Sequence, residues 1–286
     1  MVKIDMSAWR HALRNRKSAS LAALAVLSGC GGGCGNCSVP AYHATPVPVA
    51  NPIGTPTPNP TPTPLPSPIG TPIASSCATN VSGSVALGSA ATFAVLAGST
   101  VTNSGPTIVT GDLGVSPGTA ITGFGPGAGT VVGGTYHAGD PVALQAELDT
   151  TTAYNDAKGR TNPIAIPADI GGTVIAPGVY RAPVSLAITG NVTLDGGNAA
   201  NPIFIFQMAS TLTTATNSTI TLIRGANACG IFWQVGSSAT LNTASAFDGT
   251  ILAQSSISLG TGAVVNGRLL AQTGAVTLLT NTVTRP

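Results

Sequence analysis

Side chains that could perform acid–base or metal chemistry are few in the C-terminal part of the chain, residues 77–286. Outside one predicted helix, its acidic residues are Asp112, Asp169, Asp195 and Asp248. They form no local pair with one another or with the scattered arginines, as glycan hydrolases and lyases require. His137 is the only histidine of this part, so a histidine-based metal site is not expected. The sequence therefore favours a protein without enzymatic activity, metal or cofactor.

Small uncharged polar side chains, most of them hydroxylated, are the ones that recur at a regular spacing. They alternate with apolar residues over several short segments, which is the period of a strand with one buried face. The side chains predicted to point outward in a functional surface are Ser185, Thr189, Thr211, Thr213, Thr240, Asn242, Ser256, Ser258, Ala275 and Thr277. These residues predict an exposed surface without charge.

A repeat between 201 and 284 positions these side chains. Four apolar runs each end in a glutamine, at Gln207, Gln234, Gln254 and Gln272, with spacings of 27, 20 and 18 residues. A second, Ser/Thr-rich segment follows each glutamine, and a third segment then leads back to glycine or asparagine. Three short strands per repeat predict a β-solenoid, in which each repeat is one coil that stacks on the next.

The three segments predict different surroundings. The first segments are apolar at consecutive positions, so both of their faces should be covered. We call the outward side of the second segments the second-segment face, and that of the third segments the third-segment face. The third segments alternate less uniformly, with five residues predicted to point inward: Ile220, Leu222, Phe247, Val264 and Val283. The second-segment face is the stronger candidate for the functional surface, and the third-segment face remains its rival.

One helix is predicted, from Pro141 to Gly159. Asp140 can cap its start, with Pro141 in the first turn, and Gly159 can end it. A stripe of small residues including Ala146 would lie against the first segments, while Glu147 is among the residues expected to stay in solvent. This helix is the natural cover for the apolar first segments.

The N-terminal 76 residues predict export and attachment. Residues 1–29 have a basic start and a short apolar run, as in a signal peptide, and Leu27-Ser28-Gly29-Cys30 resembles a bacterial lipobox. That resemblance implies lipidation of Cys30 and, with Gly31 next, an anchor in the outer membrane. Cleavage of an ordinary secretory peptide is the alternative. Residues 30–76 are rich in Gly and Cys and then in Pro and Thr, which predicts an extended tether.

The folded domain is predicted at 77–286. It holds six Lys and Arg and eight Asp and Glu, so the formal +2 of the whole chain comes from the signal peptide and does not indicate nucleic-acid binding. Cys77 and Cys229 are its only cysteines. Because an exported chain meets an oxidising compartment, a disulfide between them is possible. The domain is expected to be a monomer.

Several ordered stretches of the domain resemble the ice-binding proteins of cold-adapted bacteria, fungi and diatoms. They include 87–96, 110–117, 120–124, 177–180, 231–235 and 266–272, and the resemblance extends over nearly all of residues 84–284. It implies a mainly β fold: a right-handed, discontinuous β-solenoid of triangular section with one long α-helix packed along one face. It also implies that an ice crystal is the partner of a face that the helix leaves uncovered.

The physical chemistry of the second-segment face agrees with that function. Threonine holds a hydroxyl and a methyl group on a stiff, β-branched stem, so little entropy is lost when it contacts a crystal. The alternative is a surface adhesin or structural module that binds a glycan or another protein. A lipid anchor and a tether would suit either function.

Overall fold

The computed structural model describes Cys77 and residues 83–286. The predicted signal peptide with Cys30 and the predicted tether at 30–76 lie outside the described residues. Among the described residues the chain forms 22 strands and one α-helix, which confirms the prediction of a mainly β fold with one helix. In this part of the chain no helix has the length and apolar character needed to cross a membrane.

The strands form two parallel sheets. The large sheet has fifteen strands: β1 (Phe93–Ala97), β3 (Ile108–Thr110), β4 (Asp112–Val115), β6 (Thr130–Val132), β7 (Tyr136–Ala138), β8 (Ile164–Ala165), β9 (Val174–Ile175), β10 (Gly178–Arg181), β12 (Asn191–Asp195), β13 (Phe204–Met208), β15 (Thr219–Ile223), β16 (Ile231–Val235), β18 (Ala246–Ala253), β20 (Val264–Ala271) and β22 (Thr282–Thr284). The small sheet has seven: β2 (Thr100–Ser104), β5 (Ala120–Thr122), β11 (Leu186–Ile188), β14 (Leu212–Thr214), β17 (Ala239–Leu241), β19 (Ile257–Leu259) and β21 (Val276–Leu279).

The stacking order of the strands differs from their order in sequence. The N-terminal strands lie beside the last C-terminal ones, so that β1 pairs with β20, β2 with β21 and β3 with β22. The next three strands, β4, β5 and β6, continue the stack outward from β1, β2 and β3. After the helix, the chain builds the other end of the stack from β8 to β12 and returns strand by strand to the middle.

The interior between the sheets is apolar and contains a row of aromatic rings. The ring centroids of Tyr180 and Phe206 are 5.5 Å apart, those of Phe206 and Trp233 are 4.1 Å apart, and those of Trp233 and Phe247 are 5.2 Å apart. Trp233 is fully buried, and its indole Nε1 donates a hydrogen bond to the backbone carbonyl of Asp248 at 3.0 Å. Pairing the one polar group of this ring avoids the cost of a buried donor without a partner.

Helix α1 spans Pro141–Gly159, the predicted bounds, and the Asp140 carboxylate accepts a hydrogen bond from the backbone N–H of Ala143 at 2.8 Å. Its alanines pack on the outward side of the first segments, against Phe232, Leu252 and Leu270 among others. The first segments are therefore covered on both faces, as predicted. This packing confirms the helix as their cover.

Two predicted orientations are wrong. Glu147 lies on the inward stripe of α1 and is only 8% exposed, because Ala143, Ala146 and Thr150 on the same stripe face the sheet. Val264 is 47% exposed and its neighbour Val265 is buried. The register places Val265, not Val264, beside the buried Phe247.

Gln207 ties the end of α1 to the large sheet. Its amide Nε2 donates to the backbone carbonyls of Ala157 at 2.9 Å, Lys158 at 3.3 Å and Arg160 at 2.9 Å. The last carbonyls of a helix have no partner within the helix, so a side-chain donor there satisfies groups that burial would otherwise leave unpaired. The first of the four repeat glutamines therefore acts as a helix cap.

We expect Gln207→Ala to lower the free energy of unfolding by about 2 kcal/mol, because it leaves several carbonyls of α1 without a donor. Urea unfolding followed by circular dichroism measures the change. Gln254→Ala is the control, since Gln254 is partly exposed and should contribute less than about 0.5 kcal/mol. Equal losses in the two variants would contradict the capping role.

Cys77 and Cys229 form a disulfide with an S–S distance of 2.06 Å. Cys229 lies in the short 3-10 turn Ala228–Gly230, directly before β16. The bond connects positions 152 residues apart in sequence. It therefore fixes the start of the domain beside a first-segment strand.

Candidate functional site

The outward side of the small sheet is the second-segment face, and one row of side chains runs along its centre. Successive pairings connect the rungs from Ala187 to Thr213, Thr240, Ser258, Thr277, Thr102 and Thr122. We call these seven residues the central row. It contains five threonines and one serine in continuous register, so hydroxyl groups recur once per strand along the whole sheet.

Buried residues on both sides of each rung fix the direction of the central row. Thr213 lies between Leu212 and Thr214, and Thr240 lies between Ala239 and Leu241; all four flanking residues are buried. Side chains of a strand alternate between its faces, so the threonine must point outward. The predicted residues Thr213, Thr240, Ser258 and Thr277 thus stand in one line.

The other predicted residues flank this line. Ser185, Thr211, Ser256 and Ala275 each come two residues before the central row and form a row along one edge of the sheet, while Thr189 and Asn242 each come two residues after it. Thr189 is exposed, and the other five are partly exposed. The structure therefore brings all ten predicted residues onto one face.

The edge hydroxyls and the central hydroxyls differ in their hydrogen bonds. On the edge, Thr211 Oγ1 donates to Ser185 Oγ at 3.0 Å, and Ser256 Oγ accepts from the backbone N–H of Ala275 at 3.2 Å. Asn242 donates its side-chain amide to the carbonyl of Thr214 at 2.7 Å. Within the described residues, the hydroxyls of the central row have no such bonds. They remain available to water or to a bound surface.

Thr102 and Thr122 extend the central row beyond the residues expected from the sequence. Both belong to N-terminal strands, and both are exposed. The alternation of Thr100-Val101-Thr102-Asn103 indicated a strand with one exposed face, but nothing local indicated that this strand lies beside β21. Ser238 was also missed: it lies between Thr211 and Ser256 on the edge row, and its Oγ accepts from the N–H of Ser256 at 3.3 Å.

A carboxylate marks one end of the central row. Asp169 forms an isolated bridge with Ala187, the terminal rung. Its Oδ1 accepts hydrogen bonds from the backbone N–H groups of Gly171 at 2.9 Å and Thr189 at 3.1 Å. These bonds, that of Gly171 first, lower the pKa of Asp169, so the group is charged at neutral pH. From Ala187 to Thr122 the row carries no charged side chain.

The third-segment face is less uniform. Its outward side exposes large apolar side chains, at Ile108, Val132, Val174, Ile223 and Val264. It also carries charge, because the exposed Arg224 pairs with the Asp195 carboxylate. Hydroxyls are present, as at Thr219 and Thr221, whose Oγ1 atoms donate to Asn191 Oδ1 at 2.8 and 2.7 Å. This face therefore lacks the unbroken hydroxyl row of the small sheet.

In the part of the chain that the structure describes, no group of three His, Cys, Asp or Glu side chains is placed to hold a metal ion. His137 contacts the start of α1, where its Nδ1 lies 2.7 Å from Asp140 Oδ2. Its role in the described structure is therefore at the helix cap.

Comparison with known proteins gives consistent similarities. A family model described as ice-binding-like matches residues 95–284. An ice-binding protein of Nostoc sp. (strain HG1) is 49% identical over 199 residues, which are 69% of this chain and 72% of that protein. An ice-binding protein of Colwellia sp. is 39% identical over 224 residues, covering 71% and 84% of the two chains. The crystal structure of an ice binding protein from an Antarctic biological consortium is 48% identical, with a TM-score of 0.68, and covers 72% of this chain and 93% of its own.

Proposed function

The chain belongs to the ice-binding-like family, and we propose on that basis that it adsorbs to ice through the second-segment face. Adsorption of this kind inhibits the growth or recrystallisation of ice. The observation that carries the proposal is the central row, whose seven rungs stand in continuous register.

The spacing of the face supports this function. Neighbouring strands of a sheet lie about 4.7–4.9 Å apart, and alternate residues along a strand repeat at about 6.6 Å, which gives a two-dimensional grid of outward side chains. The central row supplies hydroxyl and methyl groups at fixed positions because threonine is stiff at χ1. Such a grid orders water into a layer that can merge with a crystal face.

The mechanism is adsorption and not catalysis. The face offers no charged side chain between Ala187 and Thr122, whereas acid–base chemistry needs a positioned proton donor and acceptor. Charged groups would also hold nearby water in a geometry unlike that of ice. The ice crystal is then the partner, and no cofactor takes part.

The same proposal includes the finer architecture of the domain. We propose a right-handed, discontinuous β-solenoid of triangular section, whose first, second and third segments form its three sides. The discontinuity would lie where α1 carries the chain from the stack end at β4–β7 to the opposite end at β8. The parallel pairing of every strand supports this arrangement.

The domain organisation supports display at the cell surface. We propose that residues 1–29 are a signal peptide, that Cys30 is lipidated and anchors the protein in the outer membrane, and that residues 30–76 tether a monomeric domain at 77–286. The face would then contact ice outside the cell. Palmitate labelling of the protein and of Cys30→Ala in a bacterial host tests the anchor, and labelling of both alike would contradict it.

Thermal hysteresis of the purified protein tests the function, and Thr221→Tyr tests the choice of face. We expect the protein to depress the freezing point below the melting point, and the variant to retain this activity within about twofold. Thr221 lies on the third-segment face, so its ring would not stand between the central row and the crystal. Loss of activity in a folded Thr221→Tyr variant would move the function to the rival face.

A further inference from the structure

A cleft lies where the C-terminal half of α1 meets the corner between the first and second segments. Its volume is about 440 Å³, within the roughly 300–1,000 Å³ of pockets that hold small ligands. Tyr154 and Lys158 line it from the helix, and Arg181 and Gln207 line it from the large sheet. Met208, Gln234 and Gln254 contribute the rest of the polar and apolar floor.

The charge of this cleft sets it apart from the remainder of the described surface. Lys158 and Arg181 are both exposed, and within the described residues neither forms an ion pair with a carboxylate. Arg160 and Arg224, by contrast, pair with Asp156 and Asp195. No acidic residue lines the cleft. Two uncompensated positive charges in a concave site concentrate the field on an anion.

Gln207 holds one of these cations in place. Its Oε1 accepts hydrogen bonds from Arg181 Nε at 3.0 Å and from Arg181 Nη2 at 2.8 Å, while its amide nitrogen binds the carbonyls at the end of α1. A guanidinium has five N–H donors, so three remain after these two bonds. The fixed donors match a carboxylate or phosphate group, which arginine can bind through two parallel hydrogen bonds.

The other lining groups suit a sugar. The side-chain amides of Gln234 and Gln254 each offer both a donor and an acceptor, as the hydroxyls of a sugar require. Ala182 and Pro183 add small apolar surface beside them. We propose that this cleft is a binding site for an anionic saccharide, that is, a sugar that carries a carboxylate or phosphate group. The cleft binds this sugar independently of ice adsorption.

The position of the cleft relates it to the second-segment face. Pro183 and Ala209, which line the cleft, each precede a residue of the edge row, Ser185 and Thr211, by two positions. A saccharide in the cleft therefore lies beside the edge of that face and does not cover the central row. The protein can hold an acidic glycan and still present the central row.

Isothermal titration of the protein with four probes tests the proposal. The probes are a glucuronate disaccharide, glucose 6-phosphate, glucose and inorganic phosphate. We expect one or both of the anionic sugars to bind at least about tenfold more tightly than glucose and than phosphate, because charged hydrogen bonds contribute roughly 1.5–3 kcal/mol each. The two anionic probes tell which charged group the site prefers. Glucose binding as tightly as both of them, or phosphate binding as tightly as both, would overturn the assignment.

Three variants locate the binding. Lys158→Gln and Arg181→Gln should each weaken the preferred probe by about tenfold, while Arg224→Gln, which removes the same charge from the third-segment face, should bind like the parent protein. Lys158 is exposed on α1, so its variant tests the site even if loss of the Arg181–Gln207 bonds disturbs the helix end. Parent-like binding by Lys158→Gln, or an equal loss in Arg224→Gln, would also overturn the proposal.

Discussion

Thr240→Tyr is expected to remove thermal hysteresis while leaving the domain folded. Thr240 is the third of the seven rungs of the central row and stands between Thr213 and Ser258. A tyrosine ring at this position would extend beyond its shorter neighbours and hold the sheet away from a planar crystal. Because the grid works only in contact, the loss of even 1.4 kcal/mol of adsorption energy lowers affinity about tenfold, and we expect at least that effect.

The matched control for this substitution is Thr221→Tyr, which adds the same ring to the third-segment face. Circular dichroism and thermal unfolding establish that both variants are folded; the outward position of Thr240 gives no reason for a large loss of stability. Full thermal hysteresis in folded Thr240→Tyr would show that the central row does not contact ice. Equal losses in the two variants would point to a nonspecific effect of an exposed ring.

Glu147→Gln is expected to stabilise the protein by about 3 kcal/mol at pH 7 and to leave its stability unchanged at pH 4. Glu147 is buried under α1, and neither of its carboxyl oxygens has a hydrogen-bond partner among the described residues. Burial raises the pKa of Glu147 from its ordinary value of 4.5 to about 8. Folding at pH 7 must therefore protonate a group that is ionised in the unfolded chain, whereas glutamine needs no proton.

The pKa shift of Glu147 also sets the direction of the pH dependence. Between pH 4.5 and about 8 the folded state binds one more proton than the unfolded state, so the free energy of unfolding falls by about 1.4 kcal/mol per pH unit as the pH rises. Below this range the stability is fully present, and above it the loss is complete. Glu147→Gln should remove this slope.

Thermal unfolding at several pH values measures both effects. At pH 7 the Tm of Glu147→Gln should rise by roughly 6–12 °C for a domain of this size. Asp156→Asn is the control, because it makes the same charge change on the exposed side of α1; its effect should stay within about 0.5 kcal/mol at every pH. A Glu147→Gln variant that keeps the pH slope of the parent would show that another group causes it.

Local signals in the sequence were sufficient for the helix and for the faces of many strands. Asp140 and Pro141 predicted the start of α1 and Gly159 its end, because capping depends on neighbouring residues only. Period-two alternation likewise assigned Thr213, Thr240, Ser258 and Thr277 to one face. Each of these predictions rested on a few consecutive residues.

Features that depend on distant contacts could not be predicted in this way. Thr102 joins the central row only because β2 pairs with β21, more than 170 residues later in the chain. Consecutive Val264 and Val265 left the phase of β20 open until its pairing with β18 fixed it. Glu147 was expected in solvent because glutamate is rarely buried, and only its position among the inward alanines of α1 shows otherwise.

The central claim is that the second-segment face adsorbs to ice, and labelling of ice planes tests it most directly. The protein, carrying a fluorescent label, is incorporated into a growing single-crystal ice hemisphere together with parallel samples of Thr240→Tyr and Thr221→Tyr. We expect the parent protein and Thr221→Tyr to label the same planes and Thr240→Tyr to label none. An unlabelled hemisphere with folded parent protein, or the same labelled planes with folded Thr240→Tyr, would contradict the claim.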